Sequence, residues 1–182
     1  MSKRALILID IQNDYFADGK WPLAGMHNAA ANAARILAAA RAAGDRVIHV
    51  RHEFEAEDAP FFAPGSDGAR THTSVLPQAD ETVVLKHQVN AFLGTDLKAQ
   101  LDAAAIEQVT LVGAMSHMCI AAAARASADF GYVTTVVHDA CATHDQTFEG
   151  VTVAAAQVHA ANMAALAFAY AQVVSTEQYL AG

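Results

Sequence analysis

Val109-Thr110-Leu111-Val112-Gly113-Ala114-Met115-Ser116-His117-Met118-Cys119-Ile120-Ala121-Ala122-Ala123-Ala124-Arg125 reads as a short apolar strand, a glycine-led turn and an alanine-rich helix. A strand feeding straight into a helix is the unit from which parallel sheets are built. The turn places the Cys119 thiol at or beside a helix N-terminus, where backbone N–H groups favour the thiolate over the thiol.

Outward from this segment the same alternation repeats. Ala5-Leu6-Ile7-Leu8-Ile9 is a continuous apolar run, the mark of a strand covered on both faces. Residues 28–43 are rich in strong helix formers and stop at Gly44. Val47–Val50 and Thr82–Leu85 read as the second and third strands, residues 96–105 as a helix and Val109–Val112 as the fourth strand. Residues 119–129 are helical, Tyr132–Val137 is the fifth strand, 151–171 a long helix, and Val173-Val174 a last strand. Crossovers in such sheets are right-handed, so the expectation is a three-layer, doubly wound, Rossmann-like α/β fold: a six-stranded, mostly parallel sheet with helices on both faces.

The chain of 182 residues reads as one domain spanning 1–182. Residues 53–81 interrupt the rhythm with a long connection carrying Pro60, Pro64, Gly65, Gly68 and Pro77. It is expected to cover a pocket beyond the carboxyl ends of the strands; a plain surface excursion is the competing reading.

Composition narrows the partners. A net charge of −8 without a Lys/Arg cluster excludes nucleic acid and anionic membrane surfaces. No apolar run has the length of a membrane span, and Met1-Ser2-Lys3-Arg4 leads into a strand without a signal-peptide pattern, so a cytoplasmic location is expected. Two cysteines, Cys119 and Cys141, do not make a disulfide framework. The 54% hydrophobic and 16% charged content predicts that some surface is covered in a homo-oligomer, a dimer or a tetramer.

Three ionisable residues stand at or just beyond the ends of predicted strands: Asp10 after the first, Lys86 after the third, Cys119 after the fourth. Strand ends of a parallel sheet share one edge, so the three have the means to converge. The thiol would attack a carbonyl, Asp10 would take and return its proton, and Lys86 would hold the carboxylate ionised. Backbone N–H groups in the turn before Cys119 would bind a developing oxyanion. Spacing alone leaves ordinary packing open for each of them.

Asp10-Ile11-Gln12-Asn13-Asp14-Tyr15-Phe16 resembles the D-x-Q-x-x-F opening of the isochorismatase-like cysteine hydrolases. Lys86, Asn90, Ala91, Phe92, Gly94, Thr95 and Leu97 resemble their second block. Gly113 through Cys119-Ile120, with Gly131, Tyr132 and Asp139-Ala140, resembles their third. The resemblance implies hydrolysis of a C–N bond in a small amide, ureide or lactam by a Cys119–Asp10–Lys86 triad, without a cofactor. It also implies a cis peptide between Ala114 and Met115 and an oxyanion hole from the N–H groups of Met115 and Cys119.

Departures from the family pattern bear on the substrate. Members that hydrolyse nicotinamide share a D-x-H metal motif after the second strand; here those positions read His52-Glu53-Phe54, so no metal is expected, with a residual His52/His72 site and a metal-assisted, nicotinamidase-like amidase as the alternatives. Isochorismate-cleaving members lack the nucleophilic cysteine. Phe16, Trp21, His52 and His117 are the candidates for binding substrate, Trp21 and His117 being equally suited to packing or subunit contact. A nucleotide-binding domain lacks its glycine-rich loop here. A thiol redox protein lacks a C-x-x-C pair. A non-catalytic α/β binding domain keeping the fold is the remaining alternative, and Cys141 has no evident role.

Overall fold

The computed structural model describes residues 3–182. Eight strands alternate with five α-helices in chain order: β1 (Arg4–Ile9), α1 (Met26–Ala43), β2 (Arg46–His52), β3 (Thr82–Lys86), α2 (Leu97–Ala103), β4 (Gln108–Ala114), α3 (Ala121–Asp129), β5 (Val133–Ala142), β6 (Gln146–Phe148), β7 (Val151–Val153), α4 (Ala155–Ala169), β8 (Gln172–Val174) and α5 (Thr176–Leu180). Six strands form one sheet in the order β3-β2-β1-β4-β5-β8, and every neighbouring pair is parallel.

The alternation of each strand sends side chains into two cores. Leu6, Leu8, Val47, Val112 and Val137 meet Ala33, Ile36 and Leu37 of α1, with Tyr179 of α5 packed against them. Ile7, Ile9, Ile48, Val109 and Leu111 meet Leu97 and Leu101 of α2, Ala123 of α3, and Met163 and Leu166 of α4. A sheet buried on both faces is why its strands read as unbroken apolar runs rather than as alternation.

The chain winds outward from β1 in one direction through β2 and β3, and from β4 in the other through β5 and β8. The switch point therefore lies between β1 and β4, the place where open α/β sheets put their ligands. Ile9 and Gly113 are register partners at that seam. A Cβ on Gly113 would stand 1.9 Å from the carbonyl oxygen of Ile9, and its φ of +125° is in any case closed to other residues, so the seam admits glycine alone.

One predicted element divides. The helix expected over 151–171 begins only at Ala155; before it, β7 pairs antiparallel with β6 through Glu149 and Gly150, both at positive φ. Phe148, Val151 and Val153 alternate with threonines and frame this turn, a period-two pattern next to an alanine-rich one. α5 was not expected; Ser175 caps it by accepting from the Gln178 N–H while the Gln178 side chain accepts from the Ser175 N–H.

Candidate active site

Each candidate triad residue sits where a strand of the parallel sheet runs out. Asp10 follows β1; its N–H donates to the Val50 carbonyl at 2.9 Å and its φ is +54°. An aspartate tolerates this left-handed conformation better than most residues, and the kink it makes ends the strand. Lys86 is the last residue of β3 and the register partner of His52, the last residue of β2. Beyond β4 the chain makes a π-helical turn, Ser116–Ile120, before α3 begins, and Cys119 lies inside that turn. The Met115 carbonyl accepts from the N–H groups of both Met118 and Ile120, at 3.0 and 3.2 Å. π turns of this kind recur at functional sites.

The three side chains meet at one atom. Nζ of Lys86 is 2.8 Å from Oδ2 of Asp10, 3.3 Å from Sγ of Cys119 and 2.9 Å from Nδ1 of His52. Lys86 and Asp10 are wholly buried and Cys119 is nearly so. Beyond the ammonium contact, the Asp10 oxygens have no well-directed hydrogen-bond partner among the described residues. His52 Nδ1 and Cys119 Sγ accept from the ammonium, and Asp10 pairs with it by charge.

Electrostatics fixes the resting charges. Burial, then the neighbouring Asp10 carboxylate, push the Cys119 thiol up to about 12 against the pull of Lys86. Burial in the π turn and the facing carboxylate thus work against the thiolate that a helix N-terminus favours. For Lys86, burial works against the charge, but Asp10 and then Cys119 outweigh it and hold the ammonium above its ordinary value. Burial, then the Lys86 charge, lower His52 to about 4 despite Asp10. His52 is therefore a neutral acceptor at Nδ1, with its proton on Nε2. Tyr15 is raised by burial first and then by Asp10 and Cys119, so its neutral phenol borders the same pair.

The residues expected to line a pocket divide. His52 touches the triad through Lys86. Phe16 is buried on the α1 side, stacked on His72 at 3.6 Å between ring centres and edge-on to His27. Trp21 is 36% exposed, stacks on Phe61 and stands edge-on to His144. Nδ1 of His117, two residues before Cys119, is 2.7 Å from the Thr143 hydroxyl, and its ring adjoins His144. Phe61 also adjoins Phe54, which is edge-on to His52. A chain of rings thus runs from His52 to His117 across the long connection.

Both His52 and His72 have Nδ1 engaged. The His52 Nδ1 lone pair is directed at an ammonium, His72 bonds the Ser74 hydroxyl through Nδ1, and Glu53 pairs with Arg51. Among the described residues no group of three or more His, Cys, Asp or Glu side chains is placed to hold a metal ion. Cys141 is buried, its thiol directed at the Val137 carbonyl, and burial pushes it up to about 12.

Sequence reasoning missed what holds residues 53–81 in place. Gln12 is fully buried; its amide donates to the carbonyls of His52 and Ala69 and accepts from the His52 N–H, all at 2.8 Å. Asp14 accepts from the N–H groups of Phe62 and Lys20, and a Cβ at Gly68 would fall 2.2 Å from its carboxylate. The long connection is thereby stitched to the loop after β1. A glutamine and an aspartate so close to an apolar strand were the available signal, since buried polar groups need partners.

The fold thus brings a thiol, a carboxylate and an ammonium together at the carboxyl edge of a parallel α/β sheet. Residues 4–178 match the sequence model of the isochorismatase domain, and the chain belongs to the isochorismatase family of hydrolases. It is 46% identical over 176 residues to the isochorismatase family protein YddQ of Bacillus subtilis, covering 97% of this chain and 98% of that one. It is 32% identical over 155 residues to a maleamate amidohydrolase of Pseudomonas putida, covering 75% and 71%. A crystal structure of an isochorismatase hydrolase from Oleispira antarctica superposes with a TM-score of 0.95 at 56% identity, covering 98% and 96%.

Proposed function

We propose that this protein hydrolyses a C–N bond of a small amide-type substrate (an amide, ureide or lactam) through a Cys119 thioester. The observation that carries the reading is the meeting of Asp10 and Cys119 at the Lys86 ammonium, at 2.8 and 3.3 Å. The name of the maleamate amidohydrolase relative supports an amide bond as the target.

Cys119 attacks the substrate carbonyl carbon as its proton passes to Asp10, so the buried thiol ionises only as the S–C bond forms. The N–H groups of Met115 and Cys119 bind the oxyanion of the tetrahedral intermediate. Collapse breaks the C–N bond, and Asp10 returns its proton to the departing nitrogen. Water, deprotonated by Asp10, then adds to the thioester; the acid leaves and Cys119 regains its proton. Lys86 stays paired with Asp10 between steps. One domain, 1–182, holds the whole apparatus, and residues 53–81 cover it with Trp21, His52 and His117 facing the substrate and Phe16 backing the wall.

The test incubates the protein with a panel of small amides, ureides and lactams and follows release of ammonia or amine. Turnover with an acyl adduct on Cys119 in the intact mass, both lost in Cys119→Ala, is the expected result; undiminished turnover in that variant sinks the mechanism. No helix among the described residues is long and apolar enough to cross a membrane. Exposed Phe148, Val151 and Phe168, at 77%, 65% and 92%, support a homo-oligomer, a dimer or tetramer, which sedimentation would measure.

A further inference from the structure

Ser116 opens the turn that carries the nucleophile and has no exposed surface. Its Oγ lies 3.2 Å from the Ala142 carbonyl and 2.8 Å from Nδ1 of His159 on α4. Ala142 is the last residue of β5 and the register partner of Ala114, so the hydroxyl reaches back to the rung from which the turn departs. The next residue repeats the tie, His117 to Thr143. A serine has one proton. Donated to the Ala142 carbonyl, it leaves the oxygen to accept from Nδ1–H of His159, and all three groups are satisfied. The ring of His159 also adjoins His138, 6.1 Å away between ring centres.

We propose that His159 is a positioning residue: through the Ser116 hydroxyl it fixes the backbone of the turn between Met115 and Cys119, and so the aim of the oxyanion-binding N–H groups. The proposal rests on the hydrolase reading above. A buried hydroxyl anchored at two points holds its backbone in one place, whereas a hydroxyl with one anchor can rotate and let the turn drift. Misplacement of catalytic groups by about 1 Å costs on the order of a hundredfold in rate. Because the oxyanion is absent from the bound substrate and develops only on the way to the tetrahedral intermediate, the loss should fall on kcat and leave KM in place.

The experiment compares His159→Ala, His159→Asn, Ser116→Ala and the double variant His159→Ala/Ser116→Ala. Asparagine offers an N–H near the position of Nδ1 and should restore the bond. On the best amide of the panel, His159→Ala should lower kcat about ten- to a hundredfold at unchanged KM, His159→Asn should recover most of it, and the double variant should lose no more than Ser116→Ala. Wild-type kcat in His159→Ala, equal damage in the Ala and Asn variants, or losses that multiply in the double variant would each overturn the proposal. Hydrogen exchange of the amides over residues 115–120 is measured on the same proteins, with protection expected to fall in His159→Ala and return in His159→Asn. That second readout separates the two ideas. If Cys119→Ala keeps its turnover the hydrolase reading fails, while unchanged protection in His159→Ala removes the positioning role by itself.

Discussion

Nδ1 of His52 lies 2.9 Å from Nζ of Lys86, and the two residues face each other on the last rung shared by β2 and β3. An ammonium donating to the imidazole leaves no room for a proton on Nδ1, which is one reason why His52 is lowered to about 4, after burial itself. In the unfolded chain the imidazole returns to its ordinary 6.5. Between these values the unfolded state binds the proton more tightly, so the stability contributed by neutral His52 is complete above pH 6.5 and is lost as pH falls toward 4. The loss from this one group is about 3 kcal/mol. Urea midpoints from pH 7 to pH 4 should therefore fall less steeply for His52→Gln than for the wild-type protein. Parallel curves would show that His52 is not the group being titrated.

Asp10 raises the Cys119 thiol and, in the proposed mechanism, also receives its proton. Asp10→Asn separates these two effects. Without the carboxylate beside it and with Lys86 still present, the thiol should ionise at lower pH than its present value of about 12. Alkylation by iodoacetamide, followed by mass spectrometry across a pH series, should be faster in Asp10→Asn at every pH below 10. Amide turnover should nevertheless fall roughly 100- to 10,000-fold, the usual contribution of a positioned base. Slower alkylation in the variant would mean that Asp10 favours the thiolate and that the charge assignment is reversed.

Gln12 holds His52 and the long connection together through three buried hydrogen bonds. Gln12→Ala leaves the carbonyls of His52 and Ala69 and the His52 N–H without that partner. Each unsatisfied buried group costs about 1–3 kcal/mol, and partial relaxation should bring the total to roughly 3 kcal/mol. Chemical denaturation measures it. The same variant should become susceptible to proteolysis within residues 53–81 under native conditions, because the clamp on that connection is gone. A stable variant with an intact, protease-resistant connection would assign the clamp to Asp14 alone.

The seam at Gly113 offers a fourth test. Gly113→Ala places a methyl group against the Ile9 carbonyl in a conformation alanine does not favour. The β1–β4 pairing has to open, so soluble yield should collapse, or the melting temperature should drop by well over 5 °C, as expected for losses of several kcal/mol. A variant melting within a degree or two of wild type would mean that the seam is softer than its geometry indicates.

The parallel sheet was readable because its causes are local. Short apolar runs, a Gly44 helix stop and the repeated strand-to-helix alternation each follow from backbone propensity and burial on two faces, and all reappear in the structure, some with shifted ends. The β6–β7 hairpin was hidden because Val151-Thr152-Val153 abuts a run of alanines; only pairing with Gln146–Phe148 decides between strand and helix there. Asp10, Lys86 and Cys119 were legible as strand-end residues because a parallel sheet sends all its strand ends to one edge.

What the sequence could not determine was the state of that site. Whether Cys119 rests as thiol or thiolate depends on its distance from Asp10 and Lys86 and on burial, none of which is a property of its neighbours in the chain. His52 was expected to face the substrate; the register of β2 against β3 also sets its Nδ1 against Lys86. Ser116 and His159 are 43 residues apart and meet only because α4 packs against the turn that carries Cys119. The sequence by itself determined the layers of the sheet and which side chains stand at its carboxyl edge, since local pattern and strand polarity suffice for both. Protonation, the Gln12 clamp and the Ser116–His159 tie were decided by tertiary structure alone, because electrostatic and hydrogen-bond energies act through space.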